Sequence, residues 1–238
     1  MVTGTIIENS LWKQFLKTAV VPTIYRLFIL CFGLLAAQGC STVTPQALQG
    51  LNGSIGQAIV VHPTKKNSYQ AQLSAWEKQN NRWYRWMRVS AVIGKNGLAP
   101  AHEKKEGDGK TPLGIYPLGP AFGYASSMNT ALDYRQVTDN DFWVDDPQSM
   151  QYNQWIRGTP RANSFEKMKR PDNLYQYGVV IGYNSHPVVP GAGSAIFIHV
   201  WREVDNPTAG CVALSQRYLR KILCWLDKHH QPVIVIQE

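Results

Sequence analysis

The chain has 238 residues, 44% of them hydrophobic and 17% charged, an ordinary globular composition that excludes a disordered polymer. Lys and Arg number 24 against 16 Asp and Glu, for a formal net charge of +8. No Lys/Arg block or aromatic–basic repeat accompanies that charge, so no nucleic-acid partner is expected, and nothing repeats at the fixed period of a solenoid or propeller.

Lys13, Lys17 and Arg26 precede an apolar run from Leu27 to Ala37. The run is short for a membrane span and suits the apolar region of a secretory signal. It ends at Ala37-Gln38-Gly39-Cys40, which resembles a bacterial lipoprotein processing site and implies a lipid on Cys40. An uncleaved signal anchor is the alternative. Either reading makes residues 1–40 a leader or anchor, exports the remainder to the cell envelope or periplasm, and tethers it to a membrane. Setting aside Lys13, Lys17, Arg26 and Glu8 leaves the exported part at net +6. That charge favours anionic partners such as carboxylate-rich peptide stems or phospholipid head groups.

Residues 41–56 are small, polar and glycine-containing and read as a linker. Strands are predicted at Gln57–Val61, Tyr69–Trp76 and Trp83–Ile93, the last two as antiparallel neighbours across Lys78–Asn81. A charged loop, 101–111, leads into a short strand at Ile115–Leu118. Residues 121–175 are the least regular stretch and read as a long insertion with some helix, a lid over a cleft. Strands follow at Tyr177–Tyr183 and Ser194–Trp201. Ser215 reads as an N-cap, and Leu219, Ile222, Leu223 and Leu226 fall at i, i+3, i+4 and i+7, predicting one amphipathic helix over about 216–229. Cys224 within it reads as a core or near-core thiol. Pro232–Ile236 closes the chain as a strand. The prediction is a mostly β domain over 57–238 with one helix.

Cys31 falls in the leader and Cys40 is the lipid candidate, leaving only Cys211 and Cys224 in the domain. A single Cys211–Cys224 bridge is the structural alternative to a reactive thiol. The segment Ser194–Leu214 favours the thiol. Alternation puts Ile196, Ile198 and Val200 on one strand face and Phe197, His199 and Trp201 on the other. Twelve residues after His199, Pro207-Thr208-Ala209-Gly210 leads to Cys211, shortly before the helix. A Cys near a helix N-terminus gains thiolate stability, and the Cys211 and Gly210 amides are candidates for holding an oxyanion. A free thiol titrates near 8.5, so an imidazole that takes its proton completes the minimum set for covalent acyl transfer.

The run His199…Pro207-Thr208-Ala209-Gly210-Cys211-Val212 resembles the active-site motif of the L,D-transpeptidases, the YkuD-like catalytic domain. Glu106–Gly114, Trp143–Pro147, Gly182–Asn184 and Gly191–Phe197 resemble further stretches of that family. The resemblance implies a β-sandwich with a helix bracing the active-site loop. It also implies cysteine-dependent L,D-transpeptidation of peptidoglycan stem peptides through a thioester, with Cys211 as nucleophile, His199 as base and acid, and no cofactor. Two positions depart from the family pattern. Ala209 replaces the usual His before Gly-Cys, leaving His199 as the motif histidine. Val212-Ala213 follow where many members carry an Arg, so Arg202 becomes the expected carboxylate partner, with Thr208 beside it. With water as acceptor the same site is an L,D-carboxypeptidase or endopeptidase; a non-catalytic peptidoglycan-binding lipoprotein is the third alternative.

Other constellations carry less. Gly109-Lys110-Thr111 mimics the end of a P-loop, but Lys104 stands where the first glycine belongs. His186, His199 and Cys211 match no common zinc spacing, so no metal is expected. Trp143, Tyr152 and Trp155 read as packing for the insertion. His186 lies in a turn-like segment and is the weaker base candidate.

Overall fold

The computed structural model describes residues 45–238; the leader, Cys40 and the first linker residues lie outside them. Among the described residues no helix is long and apolar enough to cross a membrane. A one-turn helix, α1 (Gln46–Gln49), precedes the strands β1 (Gln57–Pro63), β2 (Gln70–Gln79) and β3 (Arg82–Val92). A short parallel pair follows, β4 (Leu98–Ala99) with β5 (Thr111–Pro112), and then the long β6 (Gly114–Gly123). The stretch read as an insertion holds β7 (Tyr134–Gln136), β8 (Asp141–Val144), β9 (Trp155–Arg157) and β10 (Phe165–Lys167). The chain continues with β11 (Tyr177–Ile181), β12 (Phe197–Val200), β13 (Val212–Leu214), α2 (Gln216–Trp225) and β14 (Val233–Ile236).

The domain is mostly β, as expected. Its main ladder runs β11-β12-β13-β3-β2-β1-β14-β6-β7, and β11 also pairs with β6. That last pairing joins the layers of the expected sandwich into one ring of eight strands with β7 appended. The β2–β3 hairpin turns at Asn80-Asn81, whose φ values of 48° and 62° are the positive pair a two-residue turn needs.

Strand alternation decides what each face buries. Ile59, Val61, Leu73, Ile198, Leu214 and Ile234 belong to one apolar cluster, which Leu219, Ile222 and Leu223 of α2 join. A second cluster gathers Phe122, Trp143, Met168, Tyr175, Phe197 and Cys211. It lies where the insertion packs on the ring: Phe197 meets Trp143 edge-on at 4.8 Å and Tyr175 at 5.6 Å between ring centroids. Each fully buried aromatic of this kind contributes about 1.5–3 kcal/mol.

Four expectations are corrected. Residues 121–175 contain no helix; β8, β9 and β10 form a three-stranded sheet with Trp143 and Tyr152 buried, the packing role read from the sequence. Within the segment read as linker, Leu48 is 1% exposed and packs with Ala58, Val60 and Trp76, and its carbonyl accepts from Trp83 Nε1 at 3.0 Å. The helix ends at Trp225, because Leu226 leaves helical geometry (ψ 132°), and a 3-10 turn at Lys228–His230 follows. Cys224 is exposed and free rather than a core thiol.

Candidate active site

The site is built where β12 runs parallel to β13. Ile198 pairs with Val212, His199 with Ala213 and Val200 with Leu214. Paired residues point to the same side of a sheet. His199 and Phe197 therefore share a face with Ala213 and with Cys211, which immediately precedes β13. This puts Cys211 one strand over from His199 and two positions along. The two side chains line a single cavity of about 250 Å³ together with Ser194, Glu166, Tyr175 and Arg170.

Both groups are buried, and burial sets their protonation. It pushes the Cys211 thiol up to about 12, with the negative charge of Glu166 adding to the effect. It pushes the His199 imidazole down to about 4. The resting pair is a neutral thiol and a neutral imidazole. His199 Nδ1 lies 2.8 Å from the Val200 carbonyl, which can only accept, so Nδ1 carries the proton and Nε2 is left with its lone pair. No hydrogen bond joins the two residues: the thiol donates to the Ala195 carbonyl at 3.2 Å and accepts from the Phe197 N–H at 3.4 Å. Ala195 holds that carbonyl in place with a positive φ of 52°, a conformation that strains a residue with a Cβ.

The thiol is not at a helix N-terminus, contrary to expectation. The three residues of β13 separate Cys211 from α2, and Ser215 makes no side-chain cap bond. The helix therefore does nothing to ease ionisation. The oxyanion expectation also narrows. The Gly210 N–H is given to Thr208 Oγ1 at 3.1 Å, whereas the Cys211 N–H has no acceptor among the described residues. Thr208 itself is committed to the loop, since its hydroxyl donates to the Cys211 carbonyl at 2.6 Å.

Thr111 braces the same loop from outside. Its fully buried hydroxyl donates to the Gly210 carbonyl at 2.7 Å and accepts from the Gly94 N–H at 2.9 Å. A Cβ on Gly210 would stand 3.0 Å from the Lys110 carbonyl, so only glycine fits this approach without movement. The Gly-Lys-Thr segment thus buttresses the cysteine loop. Lys104, in the rejected P-loop position, is buried and pairs with Asp108 at 2.8 Å.

The far wall comes from the insertion and its return. Tyr175 sets its ring edge against His199, 5.1 Å between centroids, and its hydroxyl donates to Glu166 Oε2 at 2.7 Å. Burial raises the Glu166 carboxyl above the usual carboxylate range. Arg202 lines the cavity and pairs with Asp172 at 2.7 Å. Arg170 grips the same carboxylate with two bonds, of 2.9 and 2.7 Å, which holds Asp172 low. Two guanidiniums on one carboxylate leave positive charge at the cavity wall. Glu166, Arg170 and Tyr175 escaped the sequence reading because they lie in an irregular stretch with no local periodicity. His186 is exposed and outside the cavity.

Fold and site together define a mostly β domain with one cavity that holds a buried cysteine and a buried histidine. Residues 56–235 match the L,D-transpeptidase catalytic domain, YkuD, and the chain belongs to that family. Proteins with this domain are typically cell-envelope enzymes. A search of curated proteins gave no match. Among solved structures, that of Bdellovibrio bacteriovorus Bd1075 is similar at 16% identity and a TM-score of 0.39, over 75% of this chain and 47% of that one. The chain therefore spans about half the length of that protein.

Proposed function

We propose that the protein is a cysteine-dependent L,D-transpeptidase acting on peptidoglycan stem peptides. The observation that carries this reading is the shared cavity: Cys211 and His199 on one face of adjacent strands, the imidazole neutral and with Nε2 free. As the sulfur bonds to the carbonyl carbon before a terminal D-residue, its proton passes to His199 Nε2. The Cys211 N–H faces the developing oxyanion. The C–N bond then breaks, His199 returns the proton to the leaving amine, and a thioester remains. An acceptor amine attacks, gives its proton to His199, and the proton returns to sulfur as the C–S bond breaks.

With the thiol near 12 and the imidazole near 4, transfer between the resting groups is steeply uphill. Proton movement must accompany C–S bond formation, and the thiol must first turn from the Ala195 carbonyl. Apo hydrogen bonds at such sites are commonly long or absent and tighten only with substrate. Arg202 and Arg170 supply the positive charge for a substrate carboxylate. A lipid on Cys40 would hold the enzyme at a membrane of the cell envelope.

The test is incubation with defined tetrapeptide muropeptides, with mass analysis of products and of intact protein. Cross-linked product and a protein adduct of stem mass, absent in Cys211→Ala, are expected. Release of the terminal residue without cross-linking would make water the acceptor and the protein a carboxypeptidase. Neither product nor adduct would leave a peptidoglycan-binding protein.

A further inference from the structure

β3 presents Arg82 and Tyr84 to solvent on one face, with Trp86 following in the β-bulge between Arg85 and Met87; Tyr84 is 50% and Trp86 43% exposed. Large aromatics left this open on a sheet face are unusual unless something covers them. Beside them α2 lays Arg217, Arg220 and Lys221, and its Trp225 stacks on Trp86 with centroids 5.0 Å apart and rings 7° from parallel. None of these four cations pairs with a carboxylate among the described residues; the ion pairs all lie elsewhere. One carboxylate adjoins the strip, Glu77 opposite Tyr84, which accepts from Trp225 Nε1 at 3.3 Å.

The chain enters the domain at one end of this strip. Trp83 bonds the Leu48 carbonyl, and Arg82 and Tyr84 line a groove with Leu48 and Leu51. The segment that joins the domain here is the continuation of the leader, whose apolar run Leu27–Ala37 is the part read as membrane-directed.

We propose that this strip docks on an anionic lipid surface. Three features favour lipid over a peptide or glycan. The strip is shallow and open to solvent rather than an enclosed cleft. Trp and Tyr with flanking Arg and Lys are the side chains that settle at a membrane–water boundary, ring inward and charge toward head groups. Pro45, where the described residues begin, lies three residues before Leu48 at the Arg82–Tyr84 end, so a tether joined there brings this strip within reach of the bilayer. Each cation near an anionic surface is worth about fivefold in association, and salt screens it. The inference draws on the membrane-directed reading of the leader and not on the chemistry at Cys211.

Cys224 reports on it, being free, exposed and part of the same groove as Trp86, Arg217 and Lys221. The full chain is reconstituted into vesicles of phosphatidylcholine, or of phosphatidylcholine with phosphatidylglycerol. Alkylation of the Cys224 peptide by a membrane-impermeant maleimide is then followed by mass spectrometry. Labelling is expected to slow about tenfold or more on the anionic vesicles only, and to recover in about 0.5 M salt. The double variant Arg217→Glu/Lys221→Glu, at two exposed helix positions, should label fast on both vesicles while Cys211 stays protected, which certifies its fold. Equal rates on the two vesicles overturn the proposal, as does undiminished protection in the double variant. Protection of Cys224 by peptidoglycan fragments without lipid, with none on anionic vesicles, assigns the strip to the cell wall and overturns it too. Turnover enters none of these readouts, so a failed transpeptidase assay and a failed docking assay are separate results.

Discussion

The main-chain N–H of Phe197 points at the sulfur of Cys211 across the β12–β13 ladder, 3.4 Å away. With the Ala195 carbonyl on the thiol proton, this holds the sulfur between two backbone groups and away from the histidine it is proposed to use. The resting thiol should therefore be slow toward alkylating agents, while Cys224 reacts at an ordinary exposed rate. Cys211→Ala should abolish turnover. Cys224→Ala should leave turnover intact and change stability by no more than about 0.5 kcal/mol, because its side chain is exposed. Timed alkylation with peptide mapping, and product analysis of both variants, check this. Equal loss of activity in the two variants would remove the single-nucleophile assignment.

The buried imidazole predicts an unusual pH profile. His199 needs to be neutral to act as base, and burial keeps it so down to about 4. The acid limb of kcat/KM should fall near 4 rather than near 6.5. His199→Ala should cost about 10²–10⁴-fold in acylation. The loss should shrink about tenfold per pH unit as the pH rises, since the thiolate fraction grows that way below the thiol's value of about 12. His186→Ala, at an exposed position, should change acylation little.

The same burial has a stability consequence with a definite sign. Unfolded, His199 binds a proton at 6.5, whereas folded it binds one only near 4. The unfolded state gains protons first as the pH falls between these values, so stability is lost through that window, by up to about 3 kcal/mol from this group. Urea unfolding of the wild type and of His199→Gln across pH 4–7 should show the steeper loss in the wild type. A parallel pair of curves would mean the imidazole is solvated.

Thr208 sits under the cysteine loop as a brace. Thr208→Val strips the Cys211 carbonyl and the Gly210 N–H of their hydroxyl partner, at a cost of about 1–3 kcal/mol. As a positioning residue it should also lower kcat with little change in KM. Thr208→Ser should restore both. Kinetics of the two variants separate this from a substrate contact, which would appear in KM and would not return with Ser.

Asp141 anchors the insertion. Its buried carboxylate takes Arg157 Nε at 3.0 Å, Trp155 Nε1 at 2.8 Å and the Thr138 hydroxyl at 2.7 Å. Burial alone would raise it, but these bonds outweigh burial and hold it far below the usual range. Its stabilisation is complete above about 4, the unfolded value, and is lost as the pH falls below that. Asp141→Asn should cost about 1.5–3 kcal/mol at neutral pH and much less in strong acid. Denaturant midpoints at the two pH values test it.

The longer strands, the β2–β3 hairpin across Lys78–Asn81 and the face shared by His199 and Phe197 were legible because alternation along a strand is a one-dimensional signal. The helix was legible for the same reason at its own period, but Cys224 within it was misread as a core or near-core thiol. It is one step past Leu223, about 100° round from it and off the apolar stripe of Leu219, Ile222, Leu223 and Leu226, and that phase, not mere membership of an amphipathic helix, puts it in solvent. What escaped was what depends on distant segments meeting. Tyr175 reaches His199, and Glu166 of the small sheet reaches Tyr175, only because a stretch with no strong periodicity folds back on β12. The distance from Cys211 to the helix was misjudged because Val212–Leu214, three residues, is too short a run to announce a strand.

The position of β14 makes the two ends of the domain answer to one another. It lies parallel to β1 and antiparallel to β6, Ala58 opposite Val233 and Val233 opposite Pro117. Until residues 233–236 are present, β1 and β6 have nothing between them and the ring stays open. A chain made or threaded from its N-terminus can build the β2–β3 hairpin early, but it cannot close until its last strand arrives. Such long-range closure is slow. The domain accordingly stays unlocked until residues 233–236 are in place, and a truncation after Pro232 should leave an open, aggregation-prone sheet in place of a slightly shortened domain.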